Sequence, residues 1–226
     1  MEGQGFGRTM IEPPDESKSQ TAWIIGNGGH AKVVASFLPH RQIRHLVERN
    51  AGEDDRLQSD FLADPGPPAP ADYFIAIGDN IARQRWFARL KALGITPARC
   101  IAPTAWIAPT ALLGDGVFVG AGAVIGAGAR IGDSAIVNNL SLVDHEGVVG
   151  EDSQLAPGVI LGGQVTVGRR CFLGIRSCVA PRLEIGDDAF VMAGAVVVTP
   201  VPPGAKVGGV PAMIRPGSPA PGTRPG

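Results

Sequence analysis

One histidine and two acids form the stretch of this chain with the clearest potential for acid–base chemistry. His145 lies in the segment Val143-Asp-His-Glu-Gly-Val, directly between Asp144 and Glu146. Imidazole can accept a proton near neutral pH, and a neighbouring carboxylate fixes its tautomer and stabilises its charged form. A surface histidine is more often only a solvated side chain, so the elements that position His145 must decide between the two interpretations.

His145 belongs to a segment built of hexads, which runs from Ile101 to Pro202. All 17 hexads of this segment begin with Ile, Leu or Val, and their fifth position is almost always small. Since alternate residues of a strand share a face, the fifth position of one hexad and the first of the next point inward together. Three such strands, one from each hexad, close a triangular coil, so the pattern predicts a parallel β-helix with an aliphatic core. We expect the register to continue unbroken to residue 202.

Residues three hexads apart in such a β-helix stack on the same wall. Ala127 is predicted directly below His145, and Gly163 directly above it. An outward imidazole between two residues of minimal size stands beside free space, as a catalytic base would. The zinc site of β-helical carbonic anhydrases needs three imidazole ligands, whereas His145 is the one histidine of the repeats. We therefore predict that His145 is a general base and that the site contains no metal ion.

The chain before the repeats has a different pattern. Residues 21–98 alternate strand-like and helix-like segments, which predicts a small parallel α/β domain of the Rossmann type. We expect strands at Trp23–Ile25, Ile43–Val47 and Asp72–Gly78, and helices at Lys32–Leu38 and over Asn80–Gly94. We expect the second helix to bury Ile81, Trp86, Leu90 and Leu93.

The first predicted strand runs into the glycine turn Gly26-Asn-Gly28-Gly-His-Ala31. A turn of this kind brings the N–H groups of the next helix towards phosphate. Glu48 follows at the distance from Gly28 where such folds often bind a ribose. However, the range 21–98 is long enough for only half of a dinucleotide-binding domain. We expect room for one nucleotide rather than for NAD.

Composition excludes several other classes of function. The 20 basic and 21 acidic side chains give a net charge of −1, which offers no attraction for nucleic acid or an anionic membrane. No apolar run approaches the length of a transmembrane helix. Three cysteines without CxxC spacing fit a reducing cytoplasm better than a disulfide framework. We expect disordered tails at 1–20 and 215–226, with the β-helix domain at 99–214.

The order of these motifs resembles one acyltransferase family. The motifs "GNGGHAKVV", "FIAIGDN", "DHE" and a late "GGVPA" are similar to those of the nucleotide-sugar N-acetyltransferases of the bacillosamine and perosamine type, which acetylate 4-amino-4,6-dideoxy sugars. The resemblance implies a left-handed β-helix and a homotrimer with active sites between subunits. It also implies that acetyl-CoA binds between the β-helices of adjacent subunits. The acceptor that it implies is a nucleotide-linked amino sugar, with UDP favoured over GDP, which binds beside the N-terminal domain.

The resemblance also implies roles for individual residues. His145 matches the general base, Glu146 its hydrogen-bonding partner and Asn138 an asparagine close to that base. The residues that match acetyl-CoA contacts are Gly163, through its amide at the thioester carbonyl, Gln154, Ile175 and Ala193. Those that match substrate contacts are Gly28, Gly29, His30 and Gly78, with Asn80 as a weaker candidate. Glu48 is a further substrate candidate from its spacing to Gly28. Arg83 is either a further, weaker candidate or a solvated helix residue.

Two departures from the family and two other interpretations stay open. Relatives often have paired acids after the second strand, whereas this chain has Glu48 followed by Arg49. Many relatives carry a second histidine where this chain has Gln154, which can donate a hydrogen bond but cannot titrate. Sialic acid O-acetyltransferase-like proteins share the same layout, so a sialic acid-like sugar is an alternative acceptor. A β-helix can also be a structural scaffold without enzymatic activity.

Overall fold

The computed structural model describes residues 21–47, 56–63 and 71–215 of the chain. Those residues belong to two compact units, and the chain passes from one to the other between Cys100 and Ile101. The two predicted tails, except Arg215, and the predicted ribose-binding Glu48 lie outside the described residues. In the described part of the chain, no helix has the length and apolar character needed to cross a membrane.

The N-terminal unit is the small parallel α/β domain that the sequence predicted. Its elements are β1 (Thr21–Ile25), α1 (Gly29–Ser36), β2 (Gln42–Val47), β3 (Arg56–Leu57), α2 (Gln58–Ala63), β4 (Ala71–Ile75) and α3 (Asn80–Ala92). The strands are ordered β3-β2-β1-β4, so β1 lies between β2 and β4. Its last residue, Ile25, pairs with Leu46 and Ile75 in a buried row. The loops that follow β1 and β4 therefore leave the sheet side by side.

Two details of the predicted helices are wrong. The first helix begins at Gly29 rather than Lys32, so the last three residues of the glycine turn belong to the first turn of the helix. In α3 the Asp79 side chain accepts the N–H of Ala82 at 2.8 Å, which starts the helix at Asn80. The buried residues of α3 are Arg83, Trp86 and Leu90. Leu93 is exposed because it follows the last helical residue, and Ile81 is only half-buried.

The C-terminal unit is a parallel β-helix with three walls of short strands, as predicted. Wall 1 contains β5 (Cys100–Ile101), β8 (Phe118–Val119), β11 (Ile136–Val137), β14 (Gln154–Leu155), β17 (Phe172–Leu173), β20 (Phe190–Val191), β22 (Lys206–Gly208) and β23 (Met213–Ile214). Wall 2 contains β6 (Trp106–Ile107), β9 (Val124–Ile125), β12 (Leu142–Val143), β15 (Ile160–Leu161), β18 (Cys178–Val179) and β21 (Val196–Val197). Wall 3 contains β7 (Leu112–Leu113), β10 (Arg130–Ile131), β13 (Val148–Val149), β16 (Thr166–Val167) and β19 (Glu184–Ile185).

The core of the β-helix follows the predicted periodicity. Leu113, Ile131 and Val149 are first-position residues of wall 3, and they pair at intervals of three hexads with their side chains buried. Small fifth-position residues such as Ala111 and Ala129 are buried beside them. Each coil therefore adds one layer of aliphatic side chains, and stacking layers shield each other from water.

The predicted register is wrong at the last corner. Ile185 bridges to Val201 and Val191 pairs with Val207, so both intervals fall short of three full hexads. The inward positions Val197 and Val201 lie closer together in the chain than one hexad, so the corner that contains Pro200 is shorter than the others. The antiparallel strand β23 then pairs with β22 and ends wall 1.

Candidate functional site

His145 lies in the corner between wall 2 and wall 3, in the turn that joins β12 to β13. The predicted stacking of successive coils is present at this corner. The Glu146 N–H donates to the carbonyl of Ala127 at 2.8 Å, and the Gln164 N–H donates to the carbonyl of His145 at 2.9 Å. This ladder fixes the backbone below and above His145. The imidazole remains on the outside of the β-helix, with 57% of its side chain exposed.

The imidazole lies against the α-carbon of Gly163. A Cβ atom added to Gly163 would lie 2.3 Å from Nε2 of His145 and 2.6 Å from Cε1. Gly163 is buried, and its φ is outside the left-handed region. The position therefore needs glycine for space beside the ring rather than for an unusual backbone conformation. As a result, Nε2 and the backbone of Gly163 lie side by side.

The two acids beside His145 have different roles in the turn. Asp144 accepts the backbone N–H of His145 through Oδ1 at 2.7 Å, so it fixes the turn rather than the ring. Glu146 places Oε2 3.7 Å from Nδ1 of His145, which is within ion-pair range but longer than the hydrogen bond that the resemblance implies. The same oxygen accepts a hydrogen bond from Nε2 of Gln164 at 2.7 Å. Gln164 was not predicted from the sequence, although its position one coil after Glu146 is the signal that could have identified it.

The remaining residues predicted for the acetyl-transfer site lie elsewhere on the β-helix. Asn138 occupies the corner between wall 1 and wall 2, where its Oδ1 accepts the N–H of Asn139 at 2.8 Å. Ile175 and Ala193 stack at the same corner, one coil apart, and both are exposed. Gln154 lies on wall 1 with 8% exposure, and its Oε1 has no hydrogen-bond donor among the described residues.

A single copy of the chain therefore separates the predicted site into two groups. Asn138 and His145 lie at opposite ends of wall 2, on either side of β12. A side of one hexad at about 3.3 Å per residue is up to about 20 Å long. The structure brings together His145, Glu146 and Gly163. It does not bring to them the predicted residues on wall 1 or at the corner between wall 1 and wall 2.

The N-terminal unit presents the glycine turn as an open surface. Gly28 is the N-cap of α1 and provides no side-chain hydrogen bond to the first turn. A Cβ atom at Gly28, Gly29 or Gly78 would meet no other atom within 4 Å. These glycines lie in the loops that follow the adjacent strands β1 and β4 or at the start of α1. Their exposed backbone and the N–H groups of α1 suit an anion.

Arg83 is buried beneath this surface, so its interpretation as a solvated residue is wrong. The side chain of Arg83 is 1% exposed. Its Nη1 donates to the carbonyls of Ile77 and Gly78 at 3.1 and 3.4 Å, and its Nη2 donates to Oδ1 of Asn80 at 2.8 Å. Burial and the charge of Arg83 lower the pKa of His30 to about 4. His30 is therefore neutral at pH 7 and offers a hydrogen bond rather than a charge.

Burial changes the acidity of two cysteine thiols. Burial raises the pKa of the Cys100 thiol to about 12 and that of the Cys171 thiol to about 11. Both groups remain protonated near neutral pH, which makes them poor nucleophiles. Within the described ranges, no cluster of three or more His, Cys, Asp or Glu side chains is placed to hold a metal ion.

Comparison with known proteins identifies the class. Residues 22–90 match the family described as the PglD N-terminal domain. Residues 112–141 and 164–199 match the hexapeptide repeat of succinyl-transferase. A 42% identical segment of 83 residues is shared with the serine acetyltransferase of Mycobacterium tuberculosis (strain ATCC 25618 / H37Rv), but it spans 33% of this chain and only 36% of that protein. The fold and its repeats thus define a hexapeptide-repeat acyltransferase.

Two solved structures identify the family more closely. The acetyltransferase domain of PglB from Neisseria gonorrhoeae FA1090 is 31% identical, with a TM-score of 0.81 over 87% of this chain and 100% of that one. PerB from Caulobacter crescentus, solved with CoA and GDP-perosamine, is 37% identical, with a TM-score of 0.78 over 86% of this chain and 96% of that one. The chain belongs to the PglD-type hexapeptide-repeat sugar N-acetyltransferases.

Proposed function

We propose that this protein transfers the acetyl group of acetyl-CoA to the 4-amino group of a nucleotide-linked 4-amino-4,6-dideoxy sugar. The observation that carries the proposal is the imidazole of His145, which lies outside the β-helix with Nε2 against Gly163. Family membership supports the two substrates. The PglB domain was also solved with acetyl coenzyme A, and PerB with CoA and GDP-perosamine.

The arrangement supports direct transfer without a covalent enzyme intermediate. The neutral amine of the sugar attacks the thioester carbonyl, and the C–N bond forms as the carbonyl oxygen becomes negative. Nε2 of His145 accepts the proton that the nitrogen loses, while the backbone amide of Gly163 stabilises the oxyanion. Collapse of this intermediate breaks the C–S bond and releases CoA. Glu146 faces Nδ1, the other ring nitrogen, and stabilises the positive charge that the ring acquires.

The glycine surface of the N-terminal unit is the proposed site for the nucleotide diphosphate. Its phosphates would lie over the first turn of α1, where the backbone N–H groups and the helix dipole favour negative charge. The buried charge of Arg83 adds a favourable potential behind the loop that contains Gly78 and Asn80. Neutral His30 would contribute a hydrogen bond. Glu48 remains a proposed substrate contact from its spacing to Gly28 alone.

Replacement of Gly29 by glutamate tests this placement, with Gly29→Gln as a control of the same size. A carboxylate in the first turn stabilises the helix itself but repels a diphosphate. We expect Gly29→Glu to raise the KM for the nucleotide sugar by about tenfold relative to Gly29→Gln, which corresponds to about 1.4 kcal/mol. The KM for acetyl-CoA should be the same in both variants. Equal sugar KM values in steady-state assays would place the diphosphate elsewhere.

We further propose that the active protein is a homotrimer, because one copy does not assemble the site. The outward side chains of wall 2 form an apolar column of Trp106, Val124, Leu142, Ile160, Cys178 and Val196. The corresponding column of wall 3 is mixed, because it contains Arg130, Thr166 and Glu184 as well as Leu112 and Val148. A partly exposed apolar column of this length suits a protein interface. A second copy at wall 2 would supply the Asn138 and Ile175 corner that His145 lacks in its own chain.

Replacement of Ile160 by arginine should separate the subunits. Ile160 lies in the middle of the apolar column with 44% of its surface exposed, and a buried unpaired charge there would be costly. Sedimentation velocity should show the parent at three times the chain mass of 23.3 kDa and the variant at a smaller mass. Thr166→Arg places the same charge on wall 3 and should leave the trimer intact. A monomeric parent, or a variant that stays trimeric, would contradict the proposed interface.

The function itself is tested by CoA release from acetyl-CoA with a panel of acceptors. The panel contains UDP- and GDP-linked 4-amino sugars, because the resemblance favours UDP whereas the 37% identical PerB was solved with GDP-perosamine. Turnover with one of these amines would support the proposal. Turnover with free sialic acid alone would favour O-acetylation, and a parent that neither turns over nor binds acetyl-CoA would favour a scaffold.

The three cysteines are free thiols, which suits an enzyme of the reducing cytoplasm.

A further inference from the structure

We propose that Gln164 is a positioning residue that acts on His145 through Glu146. This inference rests on the proposed function for its catalytic consequence, but its structural basis is independent. Nε2 of Gln164 donates to Oε2 of Glu146 at 2.7 Å. That same oxygen lies 3.7 Å from Nδ1 of His145. The amide therefore holds the carboxylate oxygen that faces the imidazole.

The geometry follows from the stacking of two identical turns. Glu146 and Gln164 occupy the fourth position of hexads one coil apart, and both have left-handed backbones with φ of 55° and 62°. Because the two turns have the same shape, their side chains leave the corner in the same direction. Gly128, one coil below, has no side chain to compete, and a Cβ there would lie 3.5 Å from Cγ of Glu146. Of the described residues, Gln164 provides the side-chain hydrogen bond to the Glu146 carboxylate.

The hydrogen bond matters because Glu146 is otherwise poorly constrained. Its side chain is 61% exposed, and an exposed glutamate samples several rotamers. With its carboxylate fixed beside Nδ1, the neutral imidazole carries its proton on Nδ1 and leaves the lone pair on Nε2. Nε2 is the nitrogen that lies against Gly163. Gln164 thus favours the tautomer that can accept a proton from the substrate amine.

The chemistry of glutamine suits this task. Its amide does not titrate, so it donates to the carboxylate whether the imidazole is neutral or protonated. A lysine or arginine at the same position would add a positive charge next to an imidazole that must become cationic. The neutral donor therefore orients Glu146 without opposing the charge that develops on the ring.

A double-mutant cycle tests the pathway through Glu146. Gln164→Leu should lower kcat about three- to tenfold with both KM values unchanged, a coupling in the range found for residues of one hydrogen-bond network. The pH profile of kcat should change in the same variant. In the Glu146→Gln background, Gln164→Leu should have no further effect on kcat. Effects that multiply in the double variant, or a change confined to KM, would overturn the proposal.

A spectroscopic measurement separates this inference from the proposed function. Nitrogen-15 shifts of the His145 ring, assigned with His145→Gln and recorded at a pH where imidazole is neutral, report which nitrogen carries the proton. We expect the parent to show the Nδ1–H tautomer and Gln164→Leu to shift towards Nε2–H. Thr166→Val, an exposed change nearby on wall 3, should leave the shifts unchanged. The same tautomer in the parent and in Gln164→Leu would refute the positioning role. If the tautomer differs between the two proteins but the parent has no acetyltransferase activity, only the proposed reaction is refuted.

Discussion

Replacement of His145 by alanine is expected to lower kcat/KM by about 10²- to 10⁴-fold, the usual cost of losing a positioned general base. The imidazole is the titratable group that lies against Gly163, and the pKa values of Cys100 and Cys171 exclude their thiols as replacements near neutral pH. The loss should fall on kcat, because the ring accepts a proton only as the C–N bond forms. The KM for acetyl-CoA should change little.

Asp144→Asn is the matched control for this variant. Asp144 adjoins His145 but uses its carboxylate to accept the backbone N–H of the turn, and asparagine retains an oxygen that can do the same. We expect its kcat/KM to stay within about threefold of the parent value, as for most surface changes. Rates from CoA release and from acetylated sugar should agree for every variant. An undiminished kcat/KM in His145→Ala would remove the residue from the mechanism, and the His145 corner would lose its assignment as the site of transfer.

The features of the fold that depend on a fixed period could be predicted from the sequence. Since each coil consumes three hexads, counting alone placed Gly163 above His145, and the ring does lie against the α-carbon of that glycine. Counting failed at the last corner, where Val201 pairs with Ile185 before three hexads are complete. The hydrophobic pattern does not change where this corner is shortened. Val197 and Val201 fit an inward position both in the unbroken hexad register and in the shortened one.

Side-chain interactions that cross between segments were harder to predict. Arg83 lies on the same face of α3 as the buried Trp86 and Leu90, but arginine is a residue type that is usually solvated. Its burial depends on the carbonyls of Ile77 and Gly78, which accept hydrogen bonds from its guanidinium. Gln164 has no unusual neighbours in the sequence and gains its role only by stacking above Glu146. The handedness of the β-helix and the contributions of Asn138 and Gln154 remain predictions of the resemblance. In the proposed trimer, Asn138 and Gln154 would act on the His145 corner of a second copy of the chain, and one sequence does not place that copy.

Replacement of Gly163 by alanine is the second change with a large expected effect. The new Cβ would lie 2.3 Å from Nε2 of His145, well inside van der Waals contact, so the ring must move. Misplacement of a catalytic group by about 1 Å can cost about 10²-fold in rate. The backbone should tolerate alanine, since the φ of Gly163 is outside the left-handed region. The carbonyl of Gly163 also keeps its bond from the N–H of Arg182, so we expect an unchanged melting temperature and a kcat/KM about 10²-fold lower.

The value of this variant is that it leaves the backbone amide at position 163 in place. A loss of rate in Gly163→Ala therefore reports the position of the imidazole rather than the loss of an oxyanion donor. In the His145→Ala background the ring is absent, so the added methyl group of Gly163→Ala has nothing to displace. The double variant should then be no slower than His145→Ala alone. A further loss in the double variant would mean that the methyl group blocks the thioester itself, and full activity in Gly163→Ala would mean that the base does not act from its place against this glycine.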